Sequence, residues 1–235
     1  MVIRPGGDLA ARELHFFWMA DCSGSMSVDG KIEALNNAID EAIPHMRAVA
    51  AENPNAELLI RAITFSTGAR WHISEPTPID DFHWEPVEAD GVTDLGVALA
   101  EVAEQLTVER MPDRSLPPVI VLTSDGQPTD DYKAGLGKLM AQPWGQKAVR
   151  IGIAIGQDAD IECLQEFIAN PDLKPLLASN ADRLSQLIKW ASTAVVNSAS
   201  SPLSQTADSE LFVANVFIPE PPEEDDNLGS ISDVW

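Results

Sequence analysis

Four strand-length apolar runs, each closed by polar turn residues, constrain this chain more than any other feature. Residues 14–20, 57–65, 118–123 and 149–155 are dominated by Val, Ile, Leu, Phe and Ala. A strand covered on both faces reads as such a run, whereas a half-exposed strand alternates. Between the runs the apolar spacing changes to three and four. Ile32, Leu35, Ile39, Ile43 and Met46 mark one helix over residues 31–51. Leu95, Leu99, Val102 and Leu106 mark a second, and Leu184, Leu187, Ile188 and Ala191 a third over residues 181–196. Shorter helices are expected near 130–142 and at 161–169, with a short strand at 176–178. Strands alternating with helices predict a doubly wound α/β fold, a mainly parallel sheet with helices on both faces. Residues 12–197 are expected to form that domain.

Local signals refine this outline. Asp29 is the expected N-cap of the first helix, and Pro44 should remove a hydrogen bond and kink it. Ser66, Thr67 and Gly68 predict a tight turn, and residues 69–73 then alternate as a short antiparallel edge strand. Residues 74–91 read as an acidic, proline-bearing loop. The remainder, 198–235, reads as a C-terminal extension. It comprises a Ser-rich linker, a possible added edge strand at 211–218, and a tail over 219–235 with six acids, no bases and three prolines. Such a composition predicts disorder; the sharper alternative is an acidic docking peptide anchored by Trp235.

Charge narrows the ligands. Lys and Arg number 15 against 37 Asp and Glu, so the formal charge is 15 − 37 = −22. Nucleic acid and anionic lipid are therefore not expected partners, since both need clustered cations. No run approaches the roughly 20 apolar residues of a membrane span. The first residues have no apolar core of a secretory signal, and two cysteines, Cys22 and Cys163, make no disulfide framework. A reducing cytoplasm is the expected compartment.

Three polar segments fall where a strand ends or a helix opens. They are Asp21-Cys22-Ser23-Gly24-Ser25, Thr93-Asp94-Leu95-Gly96 and Ser124-Asp125-Gly126. In a doubly wound sheet, ligands gather outside the C-terminal ends of the strands, so these segments are expected to converge. Asp21, Ser23, Ser25, Thr93 and Asp125 would then present two carboxylates and three hydroxyls. An all-oxygen set suits a hard cation, Mg²⁺ or Mn²⁺, whereas zinc would draw on nitrogen or sulfur. With only two carboxylates among the five groups, the ion would keep an open position for another molecule's carboxylate.

This pattern resembles the metal-ion-dependent adhesion site of von Willebrand factor A domains: Asp-x-Ser-x-Ser, a later Thr and a later Asp. The resemblance spans about residues 12–197 and implies a Rossmann-like sheet with one antiparallel edge strand. Within the family, Phe65-Ser66, Thr93-Asp94-Leu95-Gly96 and the segment from Thr123 to Asp131 look most like the bacterial TerY-like, tellurium-resistance-associated branch. Members of that branch are typically cytoplasmic and often encoded beside a Ser/Thr kinase and a metal-dependent phosphatase. The resemblance implies that Ser23 and Ser25 ligate the metal directly and Thr93 directly or through water. It implies that Asp21 and Asp125 act mainly through water and hold the serines in place.

The expected function is a non-enzymatic module that presents the metal to an Asp or Glu of a protein partner, such as that kinase or phosphatase. Two alternatives stand beside it: a metal-dependent hydrolase or phosphoryl-transfer enzyme, and an accessory subunit docking on an AAA+ ATPase. An enzyme would need a second metal or a positioned base. His83 is the one histidine near the expected metal loop, and nothing in the sequence positions it. His15 reads as a core histidine and Cys22 as a buried, inert thiol. Trp84 reads as loop packing, with contact area beside the metal as the alternative. Asp80, Asp81, Glu85, Glu88 and Asp90 give the neighbouring loop an acidic rim.

Overall fold

The computed structural model describes residues 11–54, 56–200, 218–223 and 235. Its sheet has six strands: β1 (Arg12–Asp21), β2 (Ala56–Ser66), β3 (Gly68–Pro78), β4 (Val119–Ser124), β5 (Val149–Ile155) and β6 (Leu176–Ala178). Their spatial order is β3-β2-β1-β4-β5-β6. All neighbours run parallel except the β2–β3 edge pair, which is antiparallel. The α/β fold predicted from the apolar runs, with one antiparallel edge strand, is the fold observed.

Alternation along the strands builds two cores, one on each face of the sheet. In β1, Leu14, Phe16, Trp18 and Ala20 face one way, and Phe17 and Met19 the other. In β4, Val119 and Val121 oppose Ile120 and Leu122. The first face is covered by α1 (Lys31–Glu52) and α6 (Ala181–Ala199), which pack on each other. The second is covered by α2 (Leu95–Gln105), α3 (Tyr132–Ala141) and α5 (Ile161–Ile168). A short α4 (Pro143–Lys147) follows α3 and seats Trp144 in the second core.

Several expectations are corrected. The N-cap of α1 is Gly30, not Asp29, and Asp29 itself has a left-handed φ of 54°. α1 runs unbroken through Pro44. β3 continues to Pro78, so the loop starts at Ile79 rather than at residue 74. The helix expected near 130–142 is α3, and α4, just beyond it, is a further short helix that the apolar spacing did not mark. α6 extends to Ala199, so Ser198 is helical and not linker. The strand expected at 211–218 lies outside the described residues apart from Ile218, which is not in a strand but packs against the first core. Trp235 also packs there. Its backbone N–H donates to Ser179 O and its indole N–H to Asp29 O, both at 3.0 Å. The tail's tryptophan is therefore seated on this chain's own domain.

Close approach of α2 and α3 requires glycine at both contact points. A Cβ placed on Gly135 would lie 2.2 Å from Gly96 O, a backbone atom that cannot swing aside. Gly137, two residues on and exposed, would meet nothing within 4 Å. Gly135→Ala is therefore expected to destabilise the fold by about 2 kcal/mol or more through forced separation of the helices. Gly137→Ala should be neutral or stabilising by up to about 1 kcal/mol, because alanine costs less backbone entropy in a helix. Urea denaturation of the two variants reads the contrast.

Candidate metal centre

The strand order reverses between β1 and β4, and a carboxylate stands at or just beyond the end of each. Asp21 closes β1, and Asp125 directly follows β4. This is the crevice where an open α/β sheet collects ligands. Asp21 and Asp125 are 0% and 1% exposed, so each must find its partners inside the protein.

Each does. Asp21 Oδ1 accepts the Ser23 N–H at 2.8 Å, and its Oδ2 accepts the Ser124 hydroxyl at 2.5 Å. Asp125 Oδ1 accepts the Ser25 hydroxyl at 2.7 Å, and its Oδ2 accepts from the Lys31 ammonium at 2.8 Å. The Ser23 and Ser25 hydroxyls are 3.0 Å apart. Burial pushes the Asp21 carboxyl above the usual carboxylate range, and its hydrogen bonds from Ser124 and Ser23 work against that rise. A chelated cation would favour the charged form in the same way.

Thr93 reaches this cluster from the loop before α2. A Cβ on Gly126 would lie 3.6 Å from both Ser25 Oγ and Thr93 Oγ1, so the two hydroxyls border one small space beside Gly126. Thr93 is fixed by two contacts with Thr129: its N–H donates to Thr129 Oγ1 at 3.0 Å, and Thr129 N–H donates to Thr93 O at 2.8 Å. Asp94, beside it, points elsewhere and accepts from the Gly68 N–H and the Thr129 hydroxyl. The acidic loop is stitched to the first segment, through Asp90 N to Cys22 O at 2.8 Å and Gly24 N to Gly91 O at 3.0 Å. All five residues singled out from the sequence are thus brought to one place. Four are buried and Ser25 is exposed, so the cluster opens to solvent on the Ser25 side.

The donor set fits a hard divalent cation: carboxylate and hydroxyl oxygens at a common mouth. Among the described residues no group of three or more His, Cys, Asp or Glu is arranged to hold a metal, so a nitrogen- or sulfur-rich site is not offered. Cys22 is buried, and burial beside Asp21 pushes its thiol up to about 12, which leaves it protonated. His83 is exposed, and its ring pairs with Asp81 O. Trp84 is packed into the first core and donates to Asn36 Oδ1, which makes it a packing residue. His72 is half-buried against Trp84.

No family model matches the sequence, and no curated protein matches it. Solved structures do match by shape. An ArnB paralog, VWA2, from Sulfolobus acidocaldarius is 17% identical with a TM-score of 0.58, covering 77% of this chain and 45% of that one. A von Willebrand factor type A protein from Catenulispora acidiphila is 16% identical with a TM-score of 0.59, covering 78% and 43%. The fold is that of a von Willebrand factor A domain. Proximal thread matrix protein 1 from the mussel byssus, with a zinc-occupied metal-ion-dependent adhesion site, is 19% identical with a TM-score of 0.59, covering 77% and 48%. This chain spans less than half the length of each of those three.

Within the von Willebrand factor A fold, sequence reading missed, besides the supporting hydroxyls of Ser124 and Thr129, two charged contributors at this crevice. Asp130 caps α2 through the Gly96 and Val97 N–H groups, both at 2.9 Å, and so fixes the helix that follows Thr93. Lys31, at the start of α1, is 7% exposed and paired with Asp125. A lysine in a first helical turn carries no sequence signal of burial. His15, by contrast, sits away from the cluster in β1, where it accepts from Arg61 and donates to Glu13. Burial and Arg61 lower its pKa from 6.5 to about 4, so the folded state holds it neutral. That contribution is present above pH 6.5 and is lost as pH falls through about 4. His15→Gln should flatten the acid limb of stability across that window, measured by urea melts between the two values.

Proposed function

We propose that this chain is a divalent-metal-dependent protein-binding module. Ser23, Ser25 and Thr93 would hold the ion, and Asp21 and Asp125 would orient the serines and balance its charge. The observation that carries this reading is the hydrogen-bonded union of two buried carboxylates with serine hydroxyls at the sheet's reversal point. The metal supplies a Lewis-acidic position for a partner's Asp or Glu side chain. Mg²⁺ or Mn²⁺ is the proposed ion, by the oxygen-only donor set; the zinc-bearing mussel protein supports divalent metal at this kind of site in general.

The surface around the mouth supports protein docking. Val28 is 53% exposed, Val92 45% and Val97 40%. These three follow the Asp21–Ser25 segment, precede Thr93 and open α2, so they flank the cluster residues along the chain. They are half of the six large apolar side chains exposed among the described residues. Asp80, Asp81, Glu85, Glu88 and Asp90 are exposed on the adjoining loop. A partner with a carboxylate set among apolar and basic groups matches that rim. We further propose a bacterial, cytoplasmic setting and a TerY-like stress-signalling role, with the kinase or phosphatase of the resemblance as the partner. Among the described residues no histidine or thiolate is poised at the cluster to act as a base or nucleophile, which favours binding over catalysis.

Affinity capture from native lysate tests the proposal, comparing wild type with Mg²⁺, wild type with EDTA, and Asp21→Ala with Mg²⁺. A protein retained only in the first condition is the expected result. The same proteins retained in all three would remove the metal from the contact. Wild type should also gain thermal stability with Mg²⁺ by simple linkage, and Asp21→Ala should lose that gain while still melting cooperatively.

A further inference from the structure

Lys31 has no role in the reading above, yet its pair with Asp125 is the most enclosed ion pair among the described residues. Nζ lies 2.8 Å from Oδ2, with the two side chains 8% and 0% exposed. Its surroundings keep it closed. The left-handed Gly156, φ 78°, follows β5 and leaves the room the lysine uses. A Cβ there would lie 3.4 Å from Lys31 Cε and Nζ and 3.6 Å from Trp235 Cβ. Trp235 in turn is bonded to Asp29, two residues before Lys31. The ammonium is thus walled off from water at the back of the crevice, while Ser25 opens the front.

We infer that Lys31 is a resident counter-charge of the metal centre: a positioning residue that lowers the centre's affinity for the ion and keeps the loaded centre cationic. The inference rests on the metal reading of the cluster. Asp21, Asp125 and Lys31 together carry two negative charges and one positive. A divalent ion bound by neutral hydroxyls turns that net negative charge into a net positive one. Without Lys31 the loaded centre would be neutral, with less pull on an incoming carboxylate. Because the pair is enclosed, solvent and salt screen the lysine's charge little. Lys31 also occupies Asp125 Oδ2, so this carboxylate faces the serines with Oδ1 alone.

Mn²⁺ titration by calorimetry on the full chain tests this, using wild type, Lys31→Met, Lys31→Gln and Lys31→Arg. At an effective dielectric of about 20, one buried unit charge beside the site should alter divalent-ion affinity by about tenfold or more. The two neutral variants are expected to bind Mn²⁺ at least about tenfold more tightly than wild type, and Lys31→Arg to stay near wild type. Should Lys31→Met fail to fold, Lys31→Gln, which donates to Asp125 without charge, carries the comparison. Neutral variants that bind Mn²⁺ equally or more weakly would overturn the inference, because a lysine that merely aims Asp125 gives that sign. Wild type and all variants failing to bind Mn²⁺ would instead remove the metal reading itself. Wild type silent with the neutral variants binding would support the inference in its strongest form.

Discussion

Two carboxylates, Asp21 and Asp125, are almost wholly shut off from water at adjacent strand ends, and the surrounding structure is organised by the need to compensate them. Neither could stay buried unpartnered. Ser23, Ser25 and Ser124 satisfy three of their four oxygens, and Lys31 takes the fourth. Those partners come from the loop after β1, the end of β4 and the start of α1. Satisfying the carboxylates therefore fixes these segments in one arrangement. The hydroxyls held in that arrangement are the ones a hard cation would use.

The sheet supplies the geometry that makes this possible. Parallel pairing of β1 with β4 places Ala20 opposite Thr123, so Asp21 and Ser124 emerge side by side. The two cores hold the strands from both faces, and the α2–α3 contact through Gly96 and Gly135 brings the Thr93 loop against the loop that follows Asp125. A displacement there would be transmitted to Thr93 through Thr129. Packing far from the cluster and the positions of its hydroxyls are in this sense one problem.

Much of this was legible in the sequence. The buried strands were legible because both faces are covered, which leaves continuous apolar runs in β4 and β5. The five cluster residues were legible because turn-type residues at three strand or helix boundaries must meet in a doubly wound sheet. The extension of β3 was not, since Ser74-Glu75-Pro76-Thr77-Pro78 reads as loop. An edge strand tolerates proline where no ladder hydrogen bond is needed, and Thr77 and Pro78 still register with Ile60 and Leu59. Asp29 was misread because a polar residue before a helix suggests a cap, whereas here it takes left-handed backbone and passes the N-cap to Gly30. Lys31 and Trp235 were illegible for a common reason: their partners lie 94 and 206 residues away, beyond any local pattern.

The central claim is that this cluster binds a divalent ion through its hydroxyls. Crystals grown with Mn²⁺ and examined by anomalous scattering at the manganese edge test it most directly. The account predicts one strong anomalous peak in contact with the hydroxyls of Ser23, Ser25 and Thr93, with Lys31 behind Asp125 on the far side. Saturating Mn²⁺ with no peak at these hydroxyls, or with the peak on the exposed acids of residues 80–90 instead, would contradict it.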